Sequence, residues 1–218
     1  MTEPSPRPDR WTFGEVPLEE GVAFATAVRD LVSTALALEF PSQELRAVTD
    51  VLRDTERRLV AEASADPTPR IGPGATAEQR VYLDHSRDIG DFNPCFPRYE
   101  LHCADDRGEG SVEFPLLYEG PPGLVHGGFL AVFFDCVMQQ LNCDLGLTGK
   151  TAALTVRYRR PTPVLTRLVV HARREIVDDR IHSSAELELD GKALCEAEMR
   201  SAIGDRTALP AVSPRRRR

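Results

Sequence analysis

The stretch Gly123-Leu-Val-His-Gly-Gly-Phe-Leu-Ala-Val-Phe-Phe-Asp-Cys-Val-Met-Gln-Gln-Leu-Asn-Cys-Asp-Leu145 decides the reading of this chain. From His126 onward it is long enough for about five helical turns at 3.6 residues per turn. It is so apolar that Asp135 is the only charged residue between Phe129 and Met138. A helix this greasy must be covered on more than one side. A carboxylate inside it loses hydration, and an unpaired buried charge costs several kcal/mol. Asp135 is therefore a candidate functional carboxylate; the alternative is an Asp that pairs with a neighbouring strand. Gly127 and Gly128 open the helix, where backbone N–H groups lack partners and the helix dipole is positive. Glycine there lets a substrate carbonyl approach those donors, as an oxyanion hole requires, although two glycines also suit an ordinary turn.

Spacing along the helix adds geometry. Gly128 and Asp135 are seven residues apart, so they share a face but lie roughly 10 Å apart along the axis. One reacting carbon cannot touch both within a single helix. Two antiparallel helices across a dimer axis would bring Gly128 of one copy to Asp135 of the other, which predicts a homodimer with composite sites. His126 falls on the side opposite Asp135 and suits a capping or loop-fixing role better than catalysis. Gln139, one turn beyond Asp135, faces the same way and can hold a water, the acyl group or a buried hydrogen-bond partner.

Outside this helix the period changes. Tyr99, Leu101 and Cys103 alternate with polar residues, Arg107-Gly-Glu-Gly110 is expected to turn the chain, and Val112, Phe114 and Leu116 alternate again. After the helix come four more candidate strands: around Leu154 to Tyr158, from Leu165 to Val177, from Ile181 to Leu189, and from Ala193 to Met199. Asp190-Gly191 is a two-residue hairpin signal between the last two. One buried helix between two early and four late strands predicts an α+β fold in which an antiparallel sheet wraps a long central helix.

Toward the N-terminus, residues 1–20 are proline-rich and charged, and a loose segment is expected. Ala23, Ala27, Leu31, Ala35 and Leu38 recur at helical spacing. Ser42 can cap a second helix carrying Leu45, Val48, Leu52 and Leu59, so residues 21–64 read as a helical hairpin extension. Residues 65–80, with Asp66-Pro-Thr-Pro-Arg-Ile-Gly-Pro-Gly74, read as a linker. Residues 81–204 form the main domain, and 205–218 a solvated basic tail ending in Arg215 to Arg218.

Composition bounds the function. The 218 residues are 41% hydrophobic and 28% charged, the range of a globular protein. No apolar run approaches the ~18 residues that span a bilayer. No secretory signal is read at the N-terminus, so a cytoplasmic location is expected. A net charge of −7 argues against nucleic acid as the main partner. Five cysteines with no Cys-x-x-Cys pair argue against a disulfide framework, and no cluster has zinc spacing. Cys136 and Cys143 read as small buried side chains. The chain contains no Gly-x-Ser-x-Gly motif, so a serine hydrolase of that kind is excluded.

The string Glu119-Gly-Pro-Pro-Gly-Leu-Val-His-Gly-Gly-Phe-Leu-Ala-Val-Phe-Phe-Asp135 resembles the PaaI-type hotdog-fold thioesterases. The resemblance continues through Thr151-Ala-Ala-Leu-Thr-Val-Arg-Tyr-Arg-Arg-Pro-Thr-Pro163 and covers roughly residues 90–204. It implies the hotdog fold and hydrolysis of an acyl-CoA thioester to a carboxylic acid and coenzyme A, with no metal or cofactor beyond the coenzyme A of the substrate. It implies Asp135 as base or nucleophile, the Gly128 N–H as oxyanion donor, and Thr151 as the group that places the attacking water. It implies that Arg159 or Arg160 holds coenzyme A phosphates, a solvated strand edge being the alternative, and that subunits pair or pair again as tetramers. Two departures stand out. Gly120 occupies a position where many members carry Asn, and residues 21–63 lie outside the usual compact domain.

Two rival functions remain. Gly90-Asp-Phe-Asn-Pro94 imitates a motif of the MaoC-type enoyl-CoA hydratases, but the paired His position is Phe96 and the motif precedes the long helix. A non-catalytic acyl-CoA or acyl-carrier binding scaffold on the same fold predicts binding without turnover. The acyl group is not readable, because it depends on which of Phe129, Phe133, Met138 and Leu141 line the pocket.

Overall fold

The computed structural model describes residues 19–63, 89–144 and 149–203. The expectations for the N-terminal segment, the 65–80 linker and the basic tail lie outside these residues. In chain order the elements are α1 (Glu19–Leu36), α2 (Gln43–Glu62), a single turn α3 (Ile89–Phe92), β1 (Tyr99–Ala104), β2 (Arg107–Glu113), a 3-10 turn (Leu116–Tyr118), α4 (Gly127–Asp144), β3 (Gly149–Tyr158), β4 (Arg167–Val177), β5 (Arg180–Leu189) and β6 (Lys192–Ile203). The strands form one antiparallel sheet in the order β1-β2-β4-β5-β6-β3. This is the α+β architecture of the hotdog fold, with α4 packed on the inner face of the sheet and helices added at the N-terminus. None of the described helices is long and apolar enough to cross a membrane.

The core follows from the two periodicities. Leu130, Phe133, Phe134, Val137, Met138 and Leu141 of α4 are buried against Val112, Leu168, Val170, Ala172, Ala185, Leu187, Cys195, Ala197 and Met199 of the sheet. Phe133 is fully buried and meets Tyr99, Phe114 and Phe134 edge-on, with ring centroids 5.6, 5.4 and 5.4 Å away. Phe133→Ala is expected to cost about 3–5 kcal/mol of stability, read from denaturant unfolding, because it removes a buried ring and leaves a cavity. Since Phe133, Met138 and Leu141 belong to this core, Phe129 is the member of the four pocket candidates left half-buried.

Three expectations are corrected. The early hairpin turns at Asp105-Asp106, where Asp105 has φ +53°, and Arg107 to Gly110 lie inside β2. Gly110 is a strand residue because its backbone meets β1 closely: a Cβ there would lie 1.9 Å from the Glu100 carbonyl oxygen. The second late strand starts at Arg167, since Leu165 is an exposed turn residue with φ +54°. The inner face of α1 is Ala25 and Arg29, one turn apart, whereas Ala23 and Ala27 are exposed. At the last hairpin, Asp190 and Gly191 take φ +52° and +73°, the left-handed pair a two-residue turn requires.

The N-terminal helices differ in how they attach. Ser42 caps α2, its hydroxyl accepting from Leu45 N at 3.2 Å, but no residue of α2 is buried. Docking is the property of α1. The Arg29 guanidinium is buried and donates to the carbonyl oxygens of Gly90 at 2.5 Å and Phe96 at 3.5 Å. The Tyr118 hydroxyl donates to Phe96 and Pro94 carbonyl oxygens at 2.6 and 3.0 Å, so α1 is joined through residues 90–96 to the turn that precedes α4.

Candidate active site

Asp135 lies in the middle of α4, half-buried, on a stripe that continues through Gln139 and Asn142 at i+4 and i+7. That stripe faces hydroxyls from three strands. Thr151 of β3 donates its Oγ1–H to Asp135 Oδ1 at 2.7 Å. Gln139 Nε2 donates to Thr151 Oγ1 at 2.6 Å and reaches Ser201 Oγ of β6 at 3.4 Å. Ser183 of β5 donates to Asn142 Oδ1 at 3.1 Å. One carboxylate oxygen is thus fixed by Thr151, while Oδ2 has no protein partner among the described residues. Of the expected residues, Asp135, Thr151 and Gln139 come together here. Ser201 and Ser183 were not anticipated; their only sequence signal is a hydroxyl at an inward strand position.

The start of α4 is a second centre. The turn before it is held by His126 N–H to Tyr118 O, Val125 N–H to Thr162 O and Gly123 N–H to Glu119 Oε1, at 2.9, 2.9 and 2.6 Å. His126 is exposed and sits immediately before the helix, its Nδ1 accepting the Gly128 N–H at 3.0 Å. The expected donor Gly128 is therefore engaged within the protein. Phe129 N–H donates to His126 O at 2.9 Å, which leaves the Gly127 N–H as the amide of this turn without an acceptor among the described residues. The Tyr158 hydroxyl, which sequence reasoning missed, donates to Gly127 O at 2.9 Å. The chain passes close to His126 at Gly120, where a Cβ would lie 2.8 Å from His126 Cβ.

The arginines lie elsewhere. On β3, Leu154 and Val156 pack on the core, so Arg157 projects to the outer face of the sheet. There Arg157 pairs with Glu198 at 2.6 Å and Arg159 with Glu196 at 2.9 Å. Their hydrogen bond holds Arg159 above its usual pKa and Glu196 below the usual carboxylate range. Arg160 donates to the Ala193 carbonyl at 2.5 Å. Neither Arg159 nor Arg160 is joined to Asp135 by a described contact. Cys136, beside Asp135, is buried, which pushes its thiol up to about 12, so it is no thiolate nucleophile near neutrality. Among the described residues no group of three His, Cys, Asp or Glu side chains could hold a metal ion.

No family model matches the sequence. Among solved structures, a thioesterase superfamily protein aligns over 85% of this chain and 96% of its own, with 26% identity and a TM-score of 0.69. That span exceeds the sheet and α4 and so reaches into the N-terminal helices. A phenylacetic acid degradation-related protein from Ralstonia eutropha aligns over 47% of this chain and 82% of its own (23% identity, TM-score 0.43). A hypothetical thioesterase protein from Streptococcus pneumoniae, solved with coenzyme A, aligns over 49% and 88% (17% identity, TM-score 0.46). In fold and over most of its length this chain is similar to a thioesterase-superfamily protein, and its sheet and central helix have the hotdog architecture.

Proposed function

We propose that the protein hydrolyses an acyl-CoA thioester to a carboxylic acid and coenzyme A, with Asp135 as general base. The observation that carries this reading is the Asp135 carboxylate held at one oxygen by Thr151, itself held by Gln139, with its second oxygen open. In the reaction, Oδ2 takes a proton from water as the water oxygen bonds to the thioester carbon. The carbonyl oxygen becomes an oxyanion, and its donor in this reading is the Gly127 N–H, since the Gly128 N–H is given to His126. Collapse of the intermediate breaks the carbon–sulfur bond, and the leaving thiolate takes the proton back from Asp135. Atoms and charge balance without another reactant.

Gly127 and Asp135 are eight residues apart on one helix, about 12 Å along its axis, too far for both to act on one thioester. The reading therefore includes a second copy of the chain. Strand β3 ends the sheet and carries Thr151, so its open edge is where two copies would join with their α4 helices side by side. Each site would then take Asp135 from one copy and Gly127 from the other.

The test is thiol release from short-, medium-, long-chain and aromatic acyl-CoAs. Turnover of one class, with equimolar acid and coenzyme A, is the expected result. Tight binding of an acyl-CoA with no thiol released from any of them would overturn it in favour of an acyl-binding protein.

A further inference from the structure

Helix α4 opens with two glycines, the residues least able to hold a backbone amide still by themselves. In this protein both peptide planes around Gly127 are restrained, the first by the helix itself and the second by side chains from outside it. The His126–Gly127 peptide is held by its carbonyl, which accepts Phe129 N–H at 2.9 Å. The Gly127–Gly128 peptide is gripped at both ends: its carbonyl accepts the Tyr158 hydroxyl at 2.9 Å, and its N–H is donated to His126 Nδ1 at 3.0 Å. Because a peptide unit is rigid and planar, fixing its oxygen and its nitrogen fixes the plane.

Tyr158 comes from the end of β3, 31 residues away in sequence, and its side chain is more than half exposed. Its ring nonetheless rests on Gly127, where a Cβ would lie 3.1 Å from the Tyr158 hydroxyl oxygen and 3.2 Å from Cζ. A side chain at Gly127 would therefore press on this ring. Partial loss of hydration pushes the Tyr158 hydroxyl above the usual phenol range, so it remains a donor at neutral pH.

We propose that Tyr158 is a positioning residue: its hydroxyl and His126 fix the Gly127–Gly128 peptide, the neighbour through the Gly127 Cα of the peptide that carries the donor. Together they limit the rotation about Gly127 that would turn its N–H away from the thioester oxygen. This inference rests on the hydrolase reading above. Tyr158 does not touch the reacting atoms; it acts by holding the donor still. A loose donor loses the advantage of a fixed dipole, which acts on the transition state and not on substrate binding.

The test is Tyr158→Phe in the full chain, which removes the hydroxyl and leaves the ring on Gly127. The expected result is a fall in kcat of about tenfold, the scale of a donor displaced by a fraction of an ångström, with KM unchanged. The thermal midpoint should stay at the parental value. In protein labelled with 15N-glycine, the Gly127 and Gly128 amide signals should move while those of Gly108 and Gly110, in the distant β1–β2 hairpin, stay. Adding His126→Ala should lower kcat by less than the product of the two single effects, since both act on one peptide. Parental kcat in Tyr158→Phe, or a lower kcat with unmoved glycine signals, would overturn the positioning role. A parent that hydrolyses no thioester would instead overturn the hydrolase reading, and the catalytic role of Tyr158 with it.

Discussion

Asp135→Asn is expected to lower kcat for thioester hydrolysis at least about a hundredfold, the lower bound for losing a positioned general base. The substitution keeps size and shape, and the Asn Oδ1 still accepts the Thr151 hydroxyl that Asp135 accepts at 2.7 Å. Gln139 still donates to Thr151, so the network below is preserved. What is lost is the ability of the second oxygen to take a proton from water. A hundredfold loss corresponds to about 2.7 kcal/mol of transition-state stabilisation at 1.36 kcal/mol per tenfold. Thiol release beside a thermal melt checks it: a large fall in kcat at an unchanged midpoint is the expected pair of results. A loss smaller than tenfold would remove Asp135 from the chemistry. Single turnover in 18O-water then separates base from nucleophile, since the label enters the product acid when Asp135 only activates water.

Why Asp135 was readable and its partners were not is a matter of sequence distance. A lone carboxylate in an apolar helix declares itself, and Gln139 follows because four residues make one turn. Tyr158, Ser183 and Ser201 reach α4 only through the register of β3, β5 and β6, which alternation alone does not set. Thr151 illustrates the point. Leu154, Val156 and Tyr158 share the inner face, and strict alternation from them would turn Thr151 outward. The strand instead carries an extra residue between Thr151 and Ala153, so that Thr151 pairs with Ser201 and faces Asp135. The resemblance pointed to Thr151, and the bulge is the physical reason it can serve.

Elsewhere the failures have equally local causes. Arg107-Gly-Glu-Gly110 looked like a turn because glycine marks turns, but Gly110 answers to the crowding of β1 against β2. The inner face of α1 was missed because it is built on a buried arginine whose Nη2 donates to carbonyl oxygens, a pattern with no hydrophobic signal. The expected donor Gly128 and the free amide of Gly127 are chemically identical in sequence, and only the direction of the His126 ring separates them.

That one-residue distinction yields the second large effect. Gly127→Pro is expected to lower kcat about a hundredfold or more, the cost of one missing oxyanion donor. Proline is tolerated at the first position of a helix, where its absent N–H leaves no helical bond unmade. Gly127 is the first residue of α4, so the helix accepts the proline, and the variant removes the proposed donor while its Cβ also presses on the Tyr158 ring. Mixing two inactive proteins then tests the composite site. After unfolding and refolding an equal mixture of Gly127→Pro and Asp135→Asn, half of the dimers pair unlike copies. In each of these, one site joins the intact Gly127 of one copy to the intact Asp135 of the other, and the second site has neither. About a quarter of parental activity should return if the two-fold dimer shares its sites in this way. No recovery, with mixed dimers demonstrated by native mass spectrometry, would mean that donor and base act within one chain. The 12 Å that separates them along α4 would then have to be closed by a donor other than Gly127, about eight residues of helical rise being too far for one carbon. Recovery would make β3 more than an edge: the same strand that aims Thr151 at Asp135 would also bring the second helix to it.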